Sequence, residues 1–456
     1  MKSSRRSVRT KASALPELRF EDARLTSFAG LVLVARLWLR LQLKARLRSC
    51  FRCGSAGKIF DRATLFLQLI VHLVLGFREL RDVAHYQDDP LVQRVLGLKK
   101  IPDASTLSRM LKEADPESVA KLRQLLAELV LERLRKLALP RITLDFDGSV
   151  QSTKRHAEGT AVGFNKQKKG ARSYYPLFCT VAQVGQVFGF LHRAGNVHDC
   201  NGAREFILQC VRDIRAALPG VILEVRMDSA FFSDEIVAAL EAAGVEFTIS
   251  VPFERFVELK KLIEDRQRWH AIDDEVAYFE TAWKPKSWSR RFRFLLIRTR
   301  SKQQRKGPVQ LDLFIPHAYG YEFKVIVTNK TLGASATIEY HGGRGSQENI
   351  FGELKSHCQM NHIPVRTRAG NETYLLASLF AFNLMRELQM QASPPERGTT
   401  RKRTALWSFE QVQTLRRTLL QRAGRLTRPA GKLSLTFCAG RNLRERILKF
   451  YESLAA

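Results

Sequence analysis

Residues 142–150 read ITLDFDGSV, and apolar side chains alternate in this stretch with polar or small ones. A period of two is typical of a β-strand, so we predict a strand that ends near Asp147. Asp145 and Asp147 share one face of that strand, because successive side chains point to opposite faces. Helical periodicity stops just before this stretch, at Leu139 and Pro140. The stretch therefore predicts the first strand of a sheet, with a carboxylate at its carboxyl end.

The residues that follow extend this sheet. LFCTVAQ (177–183) and QVFGFLHR (186–193) have strand patterns, and residues 203–218 have helical periodicity. VILEVRMD (221–228) is typical of a buried strand that ends at Asp228; a helix over 234–243 and the strand EFTISV (246–251) come next. Strands first, and then strands alternating with helices, predict a mixed α/β sheet.

The flanking regions differ from this core. Residues 15–140 carry apolar side chains three and four positions apart, which predicts helices. Within them, Asp103 or Ser105 is placed to cap a helix whose outer face carries Arg109 and Lys112. A helix-turn-helix-like DNA reader and a small helical packing domain both fit this pattern.

The second half of the chain changes pattern twice. Residues 252–338 are rich in predicted strands: VAYFETAW, RFRFLLIRTR, LDLFIP and FKVIVTN. Helices return from residue 346, and SPPERGTTRKR (393–403) is predicted to link them to a basic helical tail.

The charge balance points to a polyanionic partner. Among 456 residues there are 75 Lys and Arg against 45 Asp and Glu, which gives a net charge of +30. A chain this cationic repels itself unless a polyanion neutralises it. The longest apolar run, residues 63–76, is shorter than a membrane span, so nucleic acid is favoured over a membrane. Residues 1–14 are predicted to be a flexible basic arm, and the scattered cysteines indicate a reducing cytoplasm.

Three acids stand out by position. Asp147 and Asp228 end strands, where open α/β sheets hold their active sites, and Glu348 lies early in a predicted helix. Carboxylates in this arrangement can hold two Mg²⁺ ions for in-line phosphoryl displacement. Each acid alone has a simpler interpretation, as a cap, a turn former or a complement to a helix dipole. Their joint presence in a strongly cationic chain favours catalysis.

The residues around Glu348 resemble a known motif. Tyr340-His-Gly-Gly-Arg344-Gly-Ser-Gln-Glu348, followed by Lys355, is similar to the Tyr-Arg-Glu-Lys motif of a large group of bacterial insertion-sequence transposases of the DDE class. LDFDGS and VRMDSAFFSDE resemble the first-Asp and second-Asp strands of that group. Three residues separate Tyr340 from Arg344 where two are commoner, and Ser149 stands where Thr is usual.

The resemblance implies a fold and a domain order. It implies an α/β, ribonuclease H-like catalytic core interrupted by a mostly β insertion, with an α-helical DNA-binding region before it and a helical tail after it. The expected boundaries are a basic arm (1–14), the helical region (15–140), core first part (141–251), β-rich insertion domain (252–338), core second part (339–392), and linker with basic helical tail (393–456).

The resemblance also assigns roles to residues. It implies that Asp147, Asp228 and Glu348 are catalytic and coordinate two Mg²⁺ ions, which Mn²⁺ can replace, with Asp145 as the alternative to Asp147. Arg344 and Lys355 would grip a phosphate at the transposon end, and Tyr340 would pack against its sugar or phosphate. Trp283 or Trp288 would stack on a flipped base, although for either one a place in a β core is the competing interpretation.

These inferences converge on a DNA transposase. It would bind terminal inverted repeats in double-stranded DNA, cleave with metal-activated water and transfer the 3′-OH, with or without a hairpin, as a homodimer in the bacterial cytoplasm at the nucleoid. Two alternatives remain open. One is a nucleic-acid-binding relative without catalysis, and the other is a metal-dependent nuclease without strand transfer.

Overall fold

A computed structural model describes residues 15–51, 59–154, 156–163, 165, 168–198, 200–301, 320–438 and 440–455. The predicted basic arm (1–14) and the predicted strand LDLFIP (311–316) lie outside these residues.

Helices fill most of residues 31–137, as predicted. After a short strand, β1 (Leu25–Thr26), come α1 (Leu31–Arg40), α2 (Leu43–Cys50), α3 (Arg62–Val74), α4 (Pro90–Leu96), α5 (Ala104–Lys112) and α6 (Pro116–Leu137). An aspartate caps each of the last four by accepting backbone hydrogen bonds in the first turn: Asp61, Asp89, Asp103 and Asp115. The predicted cap at Asp103 is thereby confirmed, with Arg109 and Lys112 exposed.

The sheet begins with β2 (Arg141–Gly148), which contains the predicted first strand. A small separate sheet follows, built from β3 (Gln151–Thr153), β4 (Ala161–Val162) and β5 (Arg172–Tyr174). Next come β6 (Leu177–Val181), β7 (Gln186–Leu191), β8 (Ile222–Met227) and β9 (Glu246–Val251). Strands β2, β8 and β9 are parallel, whereas β6 and β7 are antiparallel, so the predicted mixed α/β sheet is confirmed.

Strands from residues 252–338 extend the same sheet. They are β10 (His270–Ala271), β11 (Val276–Trp283), β12 (Phe292–Arg300) and β13 (Tyr321–Thr328). Because β13 pairs antiparallel with β9, nine of the described strands form one sheet in the order β10-β11-β12-β13-β9-β8-β2-β6-β7. The strand-rich segment is therefore hydrogen-bonded directly to the core strands.

Helices connect and cover these strands. Between the core strands lie α7 (Ala203–Ala217) and α8 (Asp234–Ala242), and α9 (Val257–Glu264) follows β9. After β13 come α10 (Ala334–Gly342), α11 (Ser346–His357) and α12 (Arg368–Ala392). Every residue of α12 from 370 to 388 is buried, as expected for a helix surrounded by protein on all sides.

The tail differs from the prediction. It contains α13 (Val412–Leu415), which continues into a π-helical turn (Arg416–Leu420), and α14 (Arg441–Ser453). Between them lies a hairpin of β14 (Gly424–Thr427) and β15 (Ser434–Phe437), and β14 pairs with β1. A helical tail is therefore wrong for residues 424–437. Pro429 and Gly431, the latter with a positive φ of 79°, reverse the chain there and favour a turn.

Two large hydrophobic clusters hold the fold together. One joins helices α1–α5 and the first half of α6 to α11, α12, α13 and α14, so the N-terminal helices share a core with the tail. The other lies against the large sheet and includes the end of α6, α7, α8 and α9. In the part of the chain that the structure describes, no helix is long and apolar enough to cross a membrane.

Candidate active site

Asp147 and Asp228 lie side by side at the edge of the sheet. Phe146 of β2 pairs with Met227 of β8 in parallel register, so the next residue on each strand occupies an equivalent position. Neighbouring strands are about 4.8 Å apart, so the backbone positions of the two aspartates lie next to each other. Asp147 Oδ1 accepts from Gly148 N at 2.8 Å, and Asp228 Oδ1 accepts from Ala230 N at 3.0 Å. These backbone bonds orient both side chains at the carboxyl end of the sheet.

Glu348 reaches the same edge from the first turn of α11. The preceding residue, Gln347, is fully buried, and its Nε2 donates to the backbone oxygen of Asp145 at 2.9 Å. One turn further on, the ring of Phe351 packs on Phe178 of β6 with centroids 5.3 Å apart. These contacts fix α11 against β2 and β6. The side chain of Glu348 itself is 67% exposed and therefore accessible to a ligand.

Arg344 lies between two of the acids. It belongs to a 3₁₀ turn, Gly343–Gly345, that joins α10 to α11. Its Nη1 lies 3.7 Å from Asp147 Oδ2 and its Nη2 lies 3.9 Å from Glu348 Oε1. The structure thus brings together the three residues predicted from the motif, with the guanidinium bridging the two carboxylates.

Lys355 completes the cationic side of this site. It is half-buried on α11, two turns after Glu348, on the face that the spacing predicts. Burial lowers the pKa of the Lys355 ammonium, and the nearby charge of Asp147 opposes that shift. Arg344 and Lys355 therefore place two cationic groups beside Asp147.

Asp145 occupies a different environment from Asp147. Its side chain is 1% exposed and accepts from Arg226 Nε at 2.6 Å and from Arg226 Nη2 at 2.7 Å. Arg226 is fully buried and also donates to the backbone oxygens of Tyr340 and Lys402. A carboxylate held in this way serves a structural ion pair, which does not favour the alternative of Asp145 as a metal ligand.

Tyr340 lies inside the protein, where it is 1% exposed. The ammonium of Lys330 is 4.4 Å from its ring centroid and the guanidinium of Arg226 is 5.2 Å away. Burial raises the pKa of the Tyr340 hydroxyl well above its usual range. This position does not support the expected contact of Tyr340 with DNA; instead its ring lies against the charged groups of Lys330 and Arg226.

A buried polar network around Glu224 supports the part of the protein on which the active site lies. Glu224 of β8 accepts from Lys330 Nζ at 2.8 Å and from Arg403 Nε at 2.9 Å, and it also pairs with Arg141. Burial alone would raise the pKa of Glu224, but Arg403 and Lys330 outweigh it and lower the pKa to about 2. Sequence reasoning missed this network. The signal is the alternation of Glu224, Arg226 and Asp228 in an otherwise apolar strand.

The two tryptophans pack in an aromatic cluster. Trp288 is 5% exposed and stacks on Phe232 with centroids 4.7 Å apart. Trp283 is partly buried and contacts Phe256 at 5.3 Å and Phe294 at 5.0 Å. These positions favour the core interpretation of both side chains over base stacking.

The donor atoms at this edge suit a hard divalent cation. Asp147, Asp228 and Glu348 offer carboxylate oxygens, which Mg²⁺ and Mn²⁺ prefer. Among the described residues, no three His, Cys, Asp or Glu side chains are close enough together to hold a metal ion. The donor set fits such an ion chemically, and in this structure the Arg344 guanidinium lies between Asp147 and Glu348.

Comparison with known proteins gives a family. The family model described as "Transposase DDE domain group 1" matches residues 10–456. A search of curated proteins finds no match. Among solved structures, a piggyBac transposase synaptic complex with hairpin DNA is 10% identical, with a TM-score of 0.44, 92% of this chain and 85% of that chain covered. A Mos1 mariner paired-end complex with Mn is 12% identical, with a TM-score of 0.17, 43% of this chain and 61% of that chain covered.

Proposed function

Since the chain belongs to the family of transposases with a DDE domain of group 1, we propose that Asp147, Asp228 and Glu348 are its three catalytic carboxylates. The observation that carries this assignment is the placement of Asp147 and Asp228 at equivalent positions on adjacent parallel strands. It is supported by Glu348 in the first turn of α11 and by Arg344, which lies within 4 Å of both Asp147 and Glu348.

We infer a ribonuclease H-like arrangement for the core. Its strands run in the order β7-β6-β2-β8-β9, with β6 and β7 antiparallel to β2, and β8 and β9 parallel to it. The strands of residues 252–338 act as an insertion between Asp228 and Glu348 that widens this sheet. The proposed domain boundaries remain those of the sequence, except that hydrogen bonds from β13 to β9 make the insertion and the core one sheet.

Mg²⁺ or Mn²⁺, when bound by the three carboxylates, would polarise the scissile phosphate and activate water. The residues of the chain have separate tasks. Asp147 and Asp228 are preoriented by backbone hydrogen bonds, and exposed Glu348 closes the site from the helix side. Arg344 exchanges its contacts with the acids for a phosphate oxygen, since guanidinium binds phosphate in two parallel hydrogen bonds. Lys355 adds a second cation on the same side.

DNA recognition is assigned to the positive surface of the chain. A net charge of +30 draws double-stranded DNA by counterion release, so the affinity falls steeply as salt rises. The exposed Arg109 and Lys112 of α5 are proposed contacts with terminal repeats. Because one active site handles one transposon end, pairing of two ends requires a dimer on DNA.

Cleavage of DNA that carries the element's ends tests this function. With Mg²⁺ or Mn²⁺ the protein should cut at the element boundary and join the 3′-OH to a second DNA. Whether a hairpin forms is read from the same gel. Cleavage without joining would indicate a nuclease, and DNA binding without cleavage would indicate an inactive relative.

The Glu348→Gln variant tests the site. It should bind DNA and unfold like the wild type but not cleave, because its side chain is exposed and makes few contacts. Glu235→Gln is a matched control, since Glu235 is also an exposed glutamate in the first turn of a helix. Full cleavage by Glu348→Gln would refute the assignment.

A further inference from the structure

A large apolar cavity lies away from the active site, between the N-terminal helices and the tail. Its volume is about 1700 Å³, larger than the pockets of about 300–1,000 Å³ that hold small molecules. The walls come from α1, α2, α4, the β14–β15 hairpin and α14, and apolar side chains dominate them: Val32, Trp38, Leu39, Leu433, Leu435 and Phe437. Leu39 is 78% exposed although it lies at this apolar wall. A cavity of this size and lining suits a peptide segment.

The charge of the lining specifies the chemistry of the occupant. The charged residues that line the cavity are five cations and one acid: Lys44, Arg48, Arg94, Arg441, Arg444 and Glu445. The cavity therefore selects an apolar segment with acidic side chains.

One segment of this chain has that composition. Residues 15–22 read LPELRFED, with three acids against one arginine. They form neither helix nor strand, and their large apolar side chains face solvent: Leu15 is 96%, Leu18 77% and Phe20 92% exposed. Three exposed apolar side chains within six residues indicate a surface that another element covers.

The segment leaves the protein beside the cavity. Leu25 and Thr26 pair with β14, and Asp22 is bound by Arg425 at 2.8 Å. The root of the segment is thus fixed to the hairpin that forms one wall of the cavity, while residues 15–20 project outward. Because the exposed segment and the complementary cavity lie beside each other on one chain, two copies can exchange segments reciprocally about a twofold axis.

We propose that residues 15–22 of one copy of the chain dock in this cavity of a second copy, and that the same segment of the second copy docks in the cavity of the first. The apolar side chains fill the cavity, and the acids meet its cations. This inference rests on the proposed function, because the contact would form the dimer that pairing of two DNA ends requires.

Cross-linking between differently tagged chains tests the contact. The native Cys438 is exposed and lines the cavity. One chain carries Phe20→Cys and Cys438→Ser, and the other, of different length, keeps Cys438 and Phe20. A short bis-maleimide should join the two chains, and the product should disappear when the second chain also carries Cys438→Ser. The proposal is overturned if no product joins the two chains. It is also overturned if a chain that carries both Phe20→Cys and the native Cys438 forms the cross-link only within itself.

Dimer affinity gives the second measurement. Leu18→Asp with Phe20→Asp should raise the dimer dissociation constant about tenfold or more, as should Leu39→Glu in the cavity. All three side chains are exposed, so the variants should fold. Val257→Asp, at an apolar residue that is 62% exposed on α9, is the control. Unchanged dimerisation with intact cleavage would refute the docking alone, whereas a wild type that never cleaves DNA would refute the proposed function.

Discussion

Exchanging Asp145 and Asp147 separately for Asn should give opposite results, although the two acids are two residues apart on one strand. Asp145→Asn should lower the free energy of unfolding strongly. Asp147→Asn should leave stability almost unchanged and abolish DNA cleavage. The reason is that Asp145 belongs to a buried ion pair, whereas Asp147 lies at the open edge of the sheet.

The sizes follow from burial and geometry. The Asp145 and Arg226 side chains are 1% and 0% exposed and share two hydrogen bonds of 2.6 and 2.7 Å. Removing one partner of such a pair leaves a buried charge and costs about 3–5 kcal/mol. Asp147 is 18% exposed, and its Oδ2 lies 3.7 Å from Arg344 Nη1. An interaction of that kind contributes less than about 1 kcal/mol.

Equilibrium unfolding in urea measures the first quantity, and cleavage of end-bearing DNA with Mn²⁺ measures the second. A double variant, Asp145→Leu with Arg226→Met, is the control, because replacing both charges by apolar groups should recover most of the lost stability. If Asp145→Asn unfolded like the wild type yet no longer cleaved DNA, the roles assigned to the two acids would be reversed.

Three further changes test other parts of the site. In Gly343→Ala the new Cβ would lie 1.9 Å from Lys402 O, so we expect the free energy of unfolding in urea to fall by about 1–3 kcal/mol. Gly342→Ala is the control, because its new Cβ would have nothing within 4 Å and the variant should unfold like the wild type. Glu224 has its pKa lowered from 4.5 to about 2, so it stabilises the fold above pH 4.5 and this contribution is lost as pH falls through 2. Glu224→Gln should therefore lower the free energy of unfolding by about 3 kcal/mol at neutral pH. The difference in unfolding free energy between this variant and the wild type should disappear in acid, and a difference that stays constant with pH would contradict this. Arg344→Gln removes a cation near two carboxylates, so Mn²⁺ should bind the DNA-free protein about tenfold more tightly while cleavage falls; an unchanged Mn²⁺ titration by electron paramagnetic resonance would argue against the bridging role.

Local sequence patterns predicted the strands and the positions of Asp147 and Asp228. The period of two in residues 142–150 and the end of the run at Asp228 depend only on the pleat of a strand, and both hold in the structure. The preference for Asp147 over Asp145 rested on Ser149, which stands two positions after Asp147, where the resembling motif has a hydroxyl residue. The structure supplies a physical reason, because Arg226 comes from the neighbouring strand, 81 residues later. Strand pairing of that kind cannot be read from a local window.

Tertiary contacts explain what sequence reasoning missed. Tyr340 lies in the motif and Trp288 in a basic stretch, and these positions suggested that both aromatic side chains contact DNA. Packing buries both of them instead. The strands of 252–338 were predicted individually, but their union with the core depends on the pairing of β13 with β9. The tail hairpin escaped prediction because its strands have four residues each and are completed by β1, some 400 residues earlier.

The core shared by the first and last parts of the chain has a consequence for synthesis. Helices of residues 31–126 pack in one cluster with α12 and with side chains as far as Leu454. At about 5–20 residues per second, a ribosome needs roughly 15–65 s between residue 126 and residue 454. During that interval the first helices expose the apolar faces that the later ones will cover. We therefore expect the yield of folded protein to depend on a chaperone that shields helix surfaces on nascent chains.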